Sequence, residues 1–104
     1  MATEADLQRS IQRAILTEYG KDAWVVKFHG NQYTMPGTPD LLLCVRGRFI
    51  ALEVKRPGRL STLTRLQQQH IDKIKTSGGH AAVATSVEEA LKEVSEWLRS
   101  PLKK

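Results

Sequence analysis

Two apolar runs separated by a two-residue turn constrain this chain more than any other feature. They occupy residues 40–45 and 48–55, and Arg46-Gly47 joins them. Glycine at the second position of a two-residue loop favours a type I′ turn, so the runs are predicted to form an antiparallel β-hairpin. Counting outward from that turn pairs Asp40 with Glu53 at the open end of the hairpin.

This register brings three charged side chains together at the open end. Cross-strand partners have Cβ atoms about 5 Å apart, and Lys55, two residues after Glu53, lies on the same strand face. At an effective dielectric constant of about 20, the carboxylates of Asp40 and Glu53 would repel each other by roughly 3 kcal/mol. Paired carboxylate oxygens suit Mg²⁺ or Mn²⁺, and a lysine beside them could steady a nucleophile or a developing phosphorane charge.

The alternative for Glu53 and Lys55 taken alone is a solvated surface ion pair. Glu53 lies within an apolar run, however, which is typical of a buried strand, and buried charges are rarely left unpaired. The combination with Asp40 therefore favours a metal site over a solvated surface ion pair.

Composition narrows the class of protein. The chain has 104 residues, enough for one small domain, 1–104, and a net charge of +5 with a pI near 9.7. This charge predicts an anionic partner, with nucleic acid the natural candidate.

The only cysteine, Cys44, is expected in the core, and no apolar stretch approaches a membrane span. The N-terminus lacks the basic region of a signal peptide, so a cytoplasmic location is expected.

Capping residues and hydrophobic periodicity predict the order αβββαβα, a mixed sheet between helices. The predicted elements are a helix at 4–19 capped by Thr3, a strand at 23–28, a loop at 29–38, the hairpin, a helix at 63–76, a strand at 80–85 and a helix starting after Ser86. Thr64 with Gln67 and Ser86 with Glu89 have capping-box spacing. Trp24 and Trp97 fall on apolar stripes and are predicted to lie in the core.

The chain resembles a known family through motifs that occur in a fixed order. They are Gly37-Thr38-Pro39-Asp40-Leu41-Leu42, Glu53-Val54-Lys55-Arg56-Pro57 and Leu63-Thr64-Arg65-Leu66-Gln67, followed by Gly78-Gly79 and Ser86-Val87-Glu88-Glu89-Ala90. Together they resemble a stand-alone VRR-NUC domain (virus-type replication-repair nuclease) of the PD-(D/E)XK nuclease superfamily, from about Glu4 to Leu98. The resemblance implies an α/β, restriction-endonuclease-like αβββαβ core with an additional C-terminal helix.

The resemblance also implies roles for the residues at the open end of the hairpin. Asp40, Glu53 and the backbone carbonyl of Val54 would ligate Mg²⁺ or Mn²⁺. Lys55 would be the catalytic lysine.

Helical residues would complete the site. Gln67 would support it from the following helix, or serve only as a capping-box residue, and the two roles are compatible. The superfamily often adds a glutamate from the first helix, for which Glu4 is the best match and Glu18 the weaker one. The alternative for Glu4 is an acid favoured by the helix dipole.

Five arginines surround the carboxylate-bearing strands in sequence, and they predict a phosphate-binding rim, with solvated loop charges as the alternative. They are Arg46, Arg48, Arg56, Arg59 and Arg65. The three histidines are not at metal-ligand spacing, which argues against zinc.

The resemblance implies a DNA endonuclease, acting as a homodimer on branched DNA in repair, with four-way (Holliday) junctions the leading substrate, in a bacterial or phage-infected cell. The alternatives are a nucleic-acid-binding module without catalysis, or a nuclease acting on flaps, on other DNA structures or on RNA.

Overall fold

The structure is a computed structural model that describes residues 3–29 and 35–102 of the chain. Its elements are α1 (Glu4–Tyr19), β1 (Ala23–Lys27), β2 (Leu41–Val45), β3 (Arg48–Val54), α2 (Arg65–Thr76), β4 (His80–Ala84) and α3 (Val87–Arg99), with short 3₁₀ turns at Gly20–Asp22 and Leu60–Thr62. The predicted order αβββαβα is therefore confirmed. Residues 30–34 of the predicted 29–38 loop lie outside the described residues.

The sheet has four strands in the order β1-β2-β3-β4. The first two pairs are antiparallel, and β3 pairs with β4 in parallel, as expected for strands joined through a helix. The hairpin register runs from Val45 opposite Arg48 to Leu41 opposite Leu52. Continuing it by one position places Asp40 opposite Glu53, as predicted.

The hairpin turn has the predicted backbone conformation. Arg46 and Gly47 have φ angles of 50° and 81°, and positive φ at both central residues defines a type I′ turn. This turn matches the twist of the flanking strands, so the register is fixed locally at this end of the hairpin.

The sheet separates two unequal apolar layers. The larger one packs α1 and α3 against one face, and it includes Ile11, Ile15, Leu41, Leu43, Val45, Ile50, Leu52, Val54, Ala84, Ala90 and Val94. The smaller one packs Ile71 of α2 against Ala51 and Ala81 on the other face. Within the described residues, no helix combines the length and apolarity needed to cross a membrane.

Two of the three relevant helix starts form as predicted. The side chains of Thr3 and Thr64 cap α1 and α2, and Gln67 completes the capping box of α2. At α3 the reciprocal half of the box is not formed, and that prediction was wrong. Ser86 caps the backbone N–H of Glu89, but the Glu89 carboxylate accepts instead from the N–H and hydroxyl of Thr85, where two donors are available.

Of the two tryptophans, Trp97 packs against the larger apolar layer as predicted, whereas Trp24 departs from its predicted core placement. Trp24 is 56% exposed, because it lies on edge strand β1 and faces the side of the sheet where α2 packs mainly on β4 and β3. Trp97 is half-buried, and its ring stacks on that of His80 with centroids 5.4 Å apart. The stripe pattern located both rings on strand or helix faces, but it did not reveal that α2 leaves part of the sheet open.

Candidate active site

The open end of the hairpin holds two carboxylates side by side. Asp40 Oδ2 accepts a hydrogen bond of 2.9 Å from the backbone N–H of Val54, which fixes the Asp40 carboxylate against β3. Glu53 is 2% exposed and, by strand alternation, lies on the same face as Ala51, towards α2. The strands that form the hairpin therefore also deliver both carboxylates to one place.

Lys55 and Gln67 both reach the Glu53 carboxylate. Lys55 is 7% exposed, and its Nζ lies 3.7 Å from Glu53 Oε2. Gln67 Nε2 donates to the same oxygen at 3.2 Å. Gln67 Oε1 meanwhile accepts from the backbone N–H of Thr64 at 2.9 Å, so one side chain caps α2 and contacts the site.

The second Glu53 oxygen, Oε1, is buried and has no hydrogen-bond partner among the described residues. Burial raises the pKa of Glu53 to about 8, and the negative charge of Asp40 contributes to the rise. The positive charge of Lys55 opposes it. Protein groups alone therefore favour the protonated form of Glu53 at neutral pH, and binding of a divalent cation would release that proton to solvent.

These groups fit a hard divalent cation. An orphaned buried carboxylate oxygen beside a second carboxylate provides the oxygen donors that Mg²⁺ and Mn²⁺ prefer. Within the described residues, no three His, Cys, Asp or Glu side chains converge as ligands, so the carboxylate part of the site is a pair. Mg²⁺ usually retains several waters and binds proteins through one or two carboxylates, which a pair satisfies.

Glu4 lies near this pair without joining it. The charge of Glu4 at the start of α1 is a minor contributor to the raised pKa of Glu53. Its predicted metal role is therefore supported by proximity alone. Glu18 lies in the last turn of α1, at the far end of that helix from Glu4.

Gly37 positions the site in a way that the sequence interpretation missed. It has a φ of +84°, and a Cβ at this position would lie 2.9 Å from the backbone carbonyl carbon of Leu66 and 3.1 Å from the Gln67 nitrogen. The loop that leads to Asp40 is thus packed directly against the first turn of α2. The signal was available in the glycine before Thr38-Pro39, since only glycine combines positive φ with so close an approach.

Gln8 is a second residue that the sequence interpretation missed. It lies one turn after Glu4 on α1, is buried, and has an Oε1 without a partner among the described residues. Its signal is a polar residue at helical spacing from buried Ile11 and Ile15.

The structure divides the five arginines into two groups. Arg46 and Arg48 lie at the turn, six residues from Asp40 and five from Glu53 respectively, or roughly 17–20 Å at the spacing of a β-strand. Arg46 pairs with Asp22 at 3.4 Å, and Arg48 donates to the backbone oxygens of Trp97 and Ser100 at the end of α3. Neither is brought to the predicted site.

The other three arginines follow Lys55 in sequence and lie closer to it. Arg56 is half-buried and Arg59 exposed, and both line a cavity between α1 and the start of α3. Arg65 is the exposed first residue of α2, two positions before Gln67. A phosphate-binding surface at the carboxylate end would use these three.

Comparison with known proteins agrees with this geometry. The family model of the VRR-NUC domain matches residues 3–88. A solved structure described as a "VRR_NUC domain protein" superposes with a TM-score of 0.69 at 18% identity, covering 94% of this chain and 89% of the other. Another, described as "VRR_NUC domain", gives a TM-score of 0.65 at 20% identity, covering 92% of this chain and 99% of the other.

Comparison with curated proteins gave no match. The two structural likenesses establish the fold, and the family model extends over most of the chain. The chain belongs to the VRR-NUC domain family, a family of nucleases that generally depend on divalent metal ions.

Proposed function

We propose that this protein is an Mg²⁺- or Mn²⁺-dependent endonuclease that hydrolyses DNA phosphodiester bonds and selects branched DNA such as four-way junctions. Glu53 carries this assignment, because its buried Oε1 is orphaned next to a second carboxylate and a lysine. Such an arrangement is costly for stability alone and is characteristic of a functional site.

The protein side chains have separable tasks in this reaction. Asp40 and Glu53 provide oxygen ligands, and the Val54 N–H holds the Asp40 carboxylate in place. Lys55 lies where a cation can orient an attacking water or stabilise negative charge developing on the phosphoryl group. Gln67 fixes the Glu53 carboxylate through its side-chain amide.

A bound divalent ion would polarise the phosphoryl oxygen and lower the pKa of a coordinated water. Asp40, Glu53 and the Val54 carbonyl would hold it, and the charge of Glu4 acts on Glu53 from the start of α1. Arg56, Arg59 and Arg65 would bind the flanking phosphates, whose recognition by arginine is largely electrostatic.

The test is cleavage of a labelled set of single-stranded, duplex, flap, splayed-arm and four-way-junction DNA with Mg²⁺, Mn²⁺ or EDTA. We expect metal-dependent nicking, fastest on a branched substrate and lost in Asp40→Ala with binding retained. Binding without cleavage under every metal condition would instead identify a catalytically idle nucleic-acid-binding module.

We also propose that two copies of the chain pair, so that two active sites face two DNA strands. A row of apolar side chains on the α2 side of the sheet supports pairing. Trp24 is opposite Cys44, which is opposite Phe49, so all three share a face, and Phe49 is 41% exposed. Met35 nearby is 64% exposed. Such a patch is costly to leave in water and typical of an interface between protein chains.

Light scattering after gel filtration tests the pairing. The wild type is expected to elute as a dimer at assay concentration, and Trp24→Lys with Phe49→Lys as a monomer. Leu16→Lys on α1 is the matched control, since Leu16 is also exposed but lies on the opposite face. A wild-type monomer would remove the dimer from the proposal and leave the nuclease assignment intact.

A further inference from the structure

A cavity of about 550 Å³ lies beside Lys55, outside the group of side chains that would bind the metal. Its walls come from the first turns of α1, the loop after β3 and the start of α3. Arg56 follows Lys55 directly, and the Lys55 N–H donates to the carbonyl of Ala84, next to Thr85 in the cavity wall. The cavity is therefore lined both by the residue after Lys55 and by the residue after Ala84, the backbone partner of Lys55 on β4.

The lining of this cavity combines apolar surface with positive charge. Leu7, Pro57 and Val87 supply apolar surface, and Arg56 with Arg59 supply two positive charges. This combination, an apolar cleft with a few polar groups placed around it, is typical of small-molecule sites, and its volume lies in their usual range.

One acidic side chain also lines the cavity, and its charge is already satisfied. Asp6 accepts from the Thr3 N–H at 2.9 Å and pairs with Arg9. Hydrogen bonding to Thr3 is the largest reason why the pKa of Asp6 is lowered, so the carboxylate is stably ionised within its own cap. Among the described residues that line the cavity, Arg56 and Arg59 are therefore the charges without an ion-pair partner.

We propose that this cavity holds one unpaired nucleotide of the DNA substrate, next to the scissile phosphate. The apolar walls formed by Leu7, Pro57 and Val87 would take the base and sugar, and the two arginines would take the adjoining phosphate. The assignment rests on the proposed nuclease function and names the substrate feature that the site selects.

A cavity that takes an unpaired nucleotide would favour branched DNA over uninterrupted duplex. Extruding a paired base from a duplex costs a few kcal/mol, and the cost is least for a nucleotide that is already unpaired or poorly stacked. Nucleotides at branch points, flaps and splayed arms meet that condition. The enzyme would accept them beside the cut and reject uninterrupted duplex, without reading base identity.

The direct test uses 2-aminopurine, whose fluorescence rises when it leaves the base stack. It is placed in turn at each of three positions on either side of the mapped cut in the preferred branched substrate. Binding is measured with Lys55→Ala, so that no cleavage intervenes. We expect one position to brighten, and an abasic site at that position to raise the wild-type KM about tenfold.

Ser10→Trp tests the assignment by blocking the cavity. Ser10 is exposed on α1 and lines the cavity, so a tryptophan there would fill it with little effect on folding. Thr17→Trp, seven residues further along the same helix and outside the cavity, is the control. Ser10→Trp should abolish the brightening and the abasic penalty, and Thr17→Trp should leave both unchanged.

Two results would overturn the cavity assignment: no position brightens, or the signal survives Ser10→Trp. Either result leaves the nuclease function standing if wild-type protein still cuts branched DNA. Conversely, absence of cleavage under every metal condition defeats the nuclease function; the probe is then placed at the positions flanking the branch point, and the fluorescence of the bound Lys55→Ala complex still decides the cavity.

Discussion

The two ends of the β2–β3 hairpin obey one register but are stabilised in opposite ways. At the turn, Arg46 and Gly47 adopt the φ angles that a type I′ turn needs, and the Arg46 side chain is exposed and paired with Asp22. At the open end, Glu53 is buried with an orphaned oxygen beside Asp40. Local backbone conformation explains the first end, whereas at the second end the protein groups favour the protonated form of Glu53.

This contrast separates residues that stabilise the fold from residues that serve the proposed activity. Removing charge at the open end should cost activity and leave or improve stability. Substitutions that disfavour the positive φ angles of the turn should lower stability and leave activity unchanged.

The largest expected difference between the two ends is in cleavage rate. Lys55→Ala should lower kcat by about 10²–10³-fold, because a preorganised positive charge near the phosphoryl group is lost. Arg48→Ala at the turn should change kcat less than twofold, since its guanidinium is committed to the end of α3. Single-turnover cleavage with both variants, after matching their thermal stability, measures the ratio.

The next largest effect is on the pH dependence of stability without metal. The pKa of Glu53 is raised from 4.5 to about 8, so between these values the folded protein keeps a proton that the unfolded chain releases. The free energy of unfolding should therefore fall with rising pH, by up to about 1.4 kcal/mol per unit over that window.

Urea titrations of wild type and Glu53→Gln from pH 4.5 to 9 isolate this contribution. The two proteins should be similar near pH 4.5, and the variant should gain relative stability as the pH rises. Mg²⁺ should reduce the slope for wild type alone, because metal binding favours the ionised carboxylate. Parallel curves for the two proteins would show that Glu53 is ionised without metal.

A smaller effect is expected at the two glycines that lie at opposite ends of the hairpin. Gly37→Ala adds a Cβ that would lie 2.9 Å from the Leu66 backbone, at a φ of +84°, and should cost about 1–3 kcal/mol together with activity. Gly47→Ala has a similar φ with nothing within 4 Å, so it should cost about 1–2 kcal/mol and spare kcat. Thermal unfolding and kcat of both variants test this comparison. Equal loss of activity in Gly37→Ala and Gly47→Ala would show that Gly37 has no special role in positioning the site.

The smallest effect is expected at the surface pair beside the turn. Arg46→Ala removes the 3.4 Å contact with Asp22, in which both side chains are about half exposed. Solvent screening limits its contribution to about 0–1 kcal/mol. Double-mutant cycles with Asp22→Ala should give a coupling energy below 1 kcal/mol that shrinks with salt.

How far the sequence predicts this molecule depends on the range of the interaction. The hairpin register and the Thr64–Gln67 cap were predictable because each depends on residues a few positions apart. From that register, the convergence of Asp40 and Glu53 followed by counting residues.

Longer-range features were not predictable in the same way. The exposure of Trp24 depends on how much of the sheet α2 covers, which no local pattern encodes. The diversion of Glu89 to Thr85 depends on a competing pair of donors. Arg46 and Arg48 are close to the carboxylates in sequence, but an antiparallel hairpin places them at its opposite end.

The two contacts of Gln67 couple the start of α2 to the position of the Glu53 carboxylate. Its amide oxygen is used by the Thr64 cap and its amide nitrogen by Glu53, so the group cannot flip without losing both. A helix that started one residue early or late would rotate this side chain by roughly 100° away from the carboxylate. Misregistered chains would therefore lose both the α2 cap and this support for Glu53.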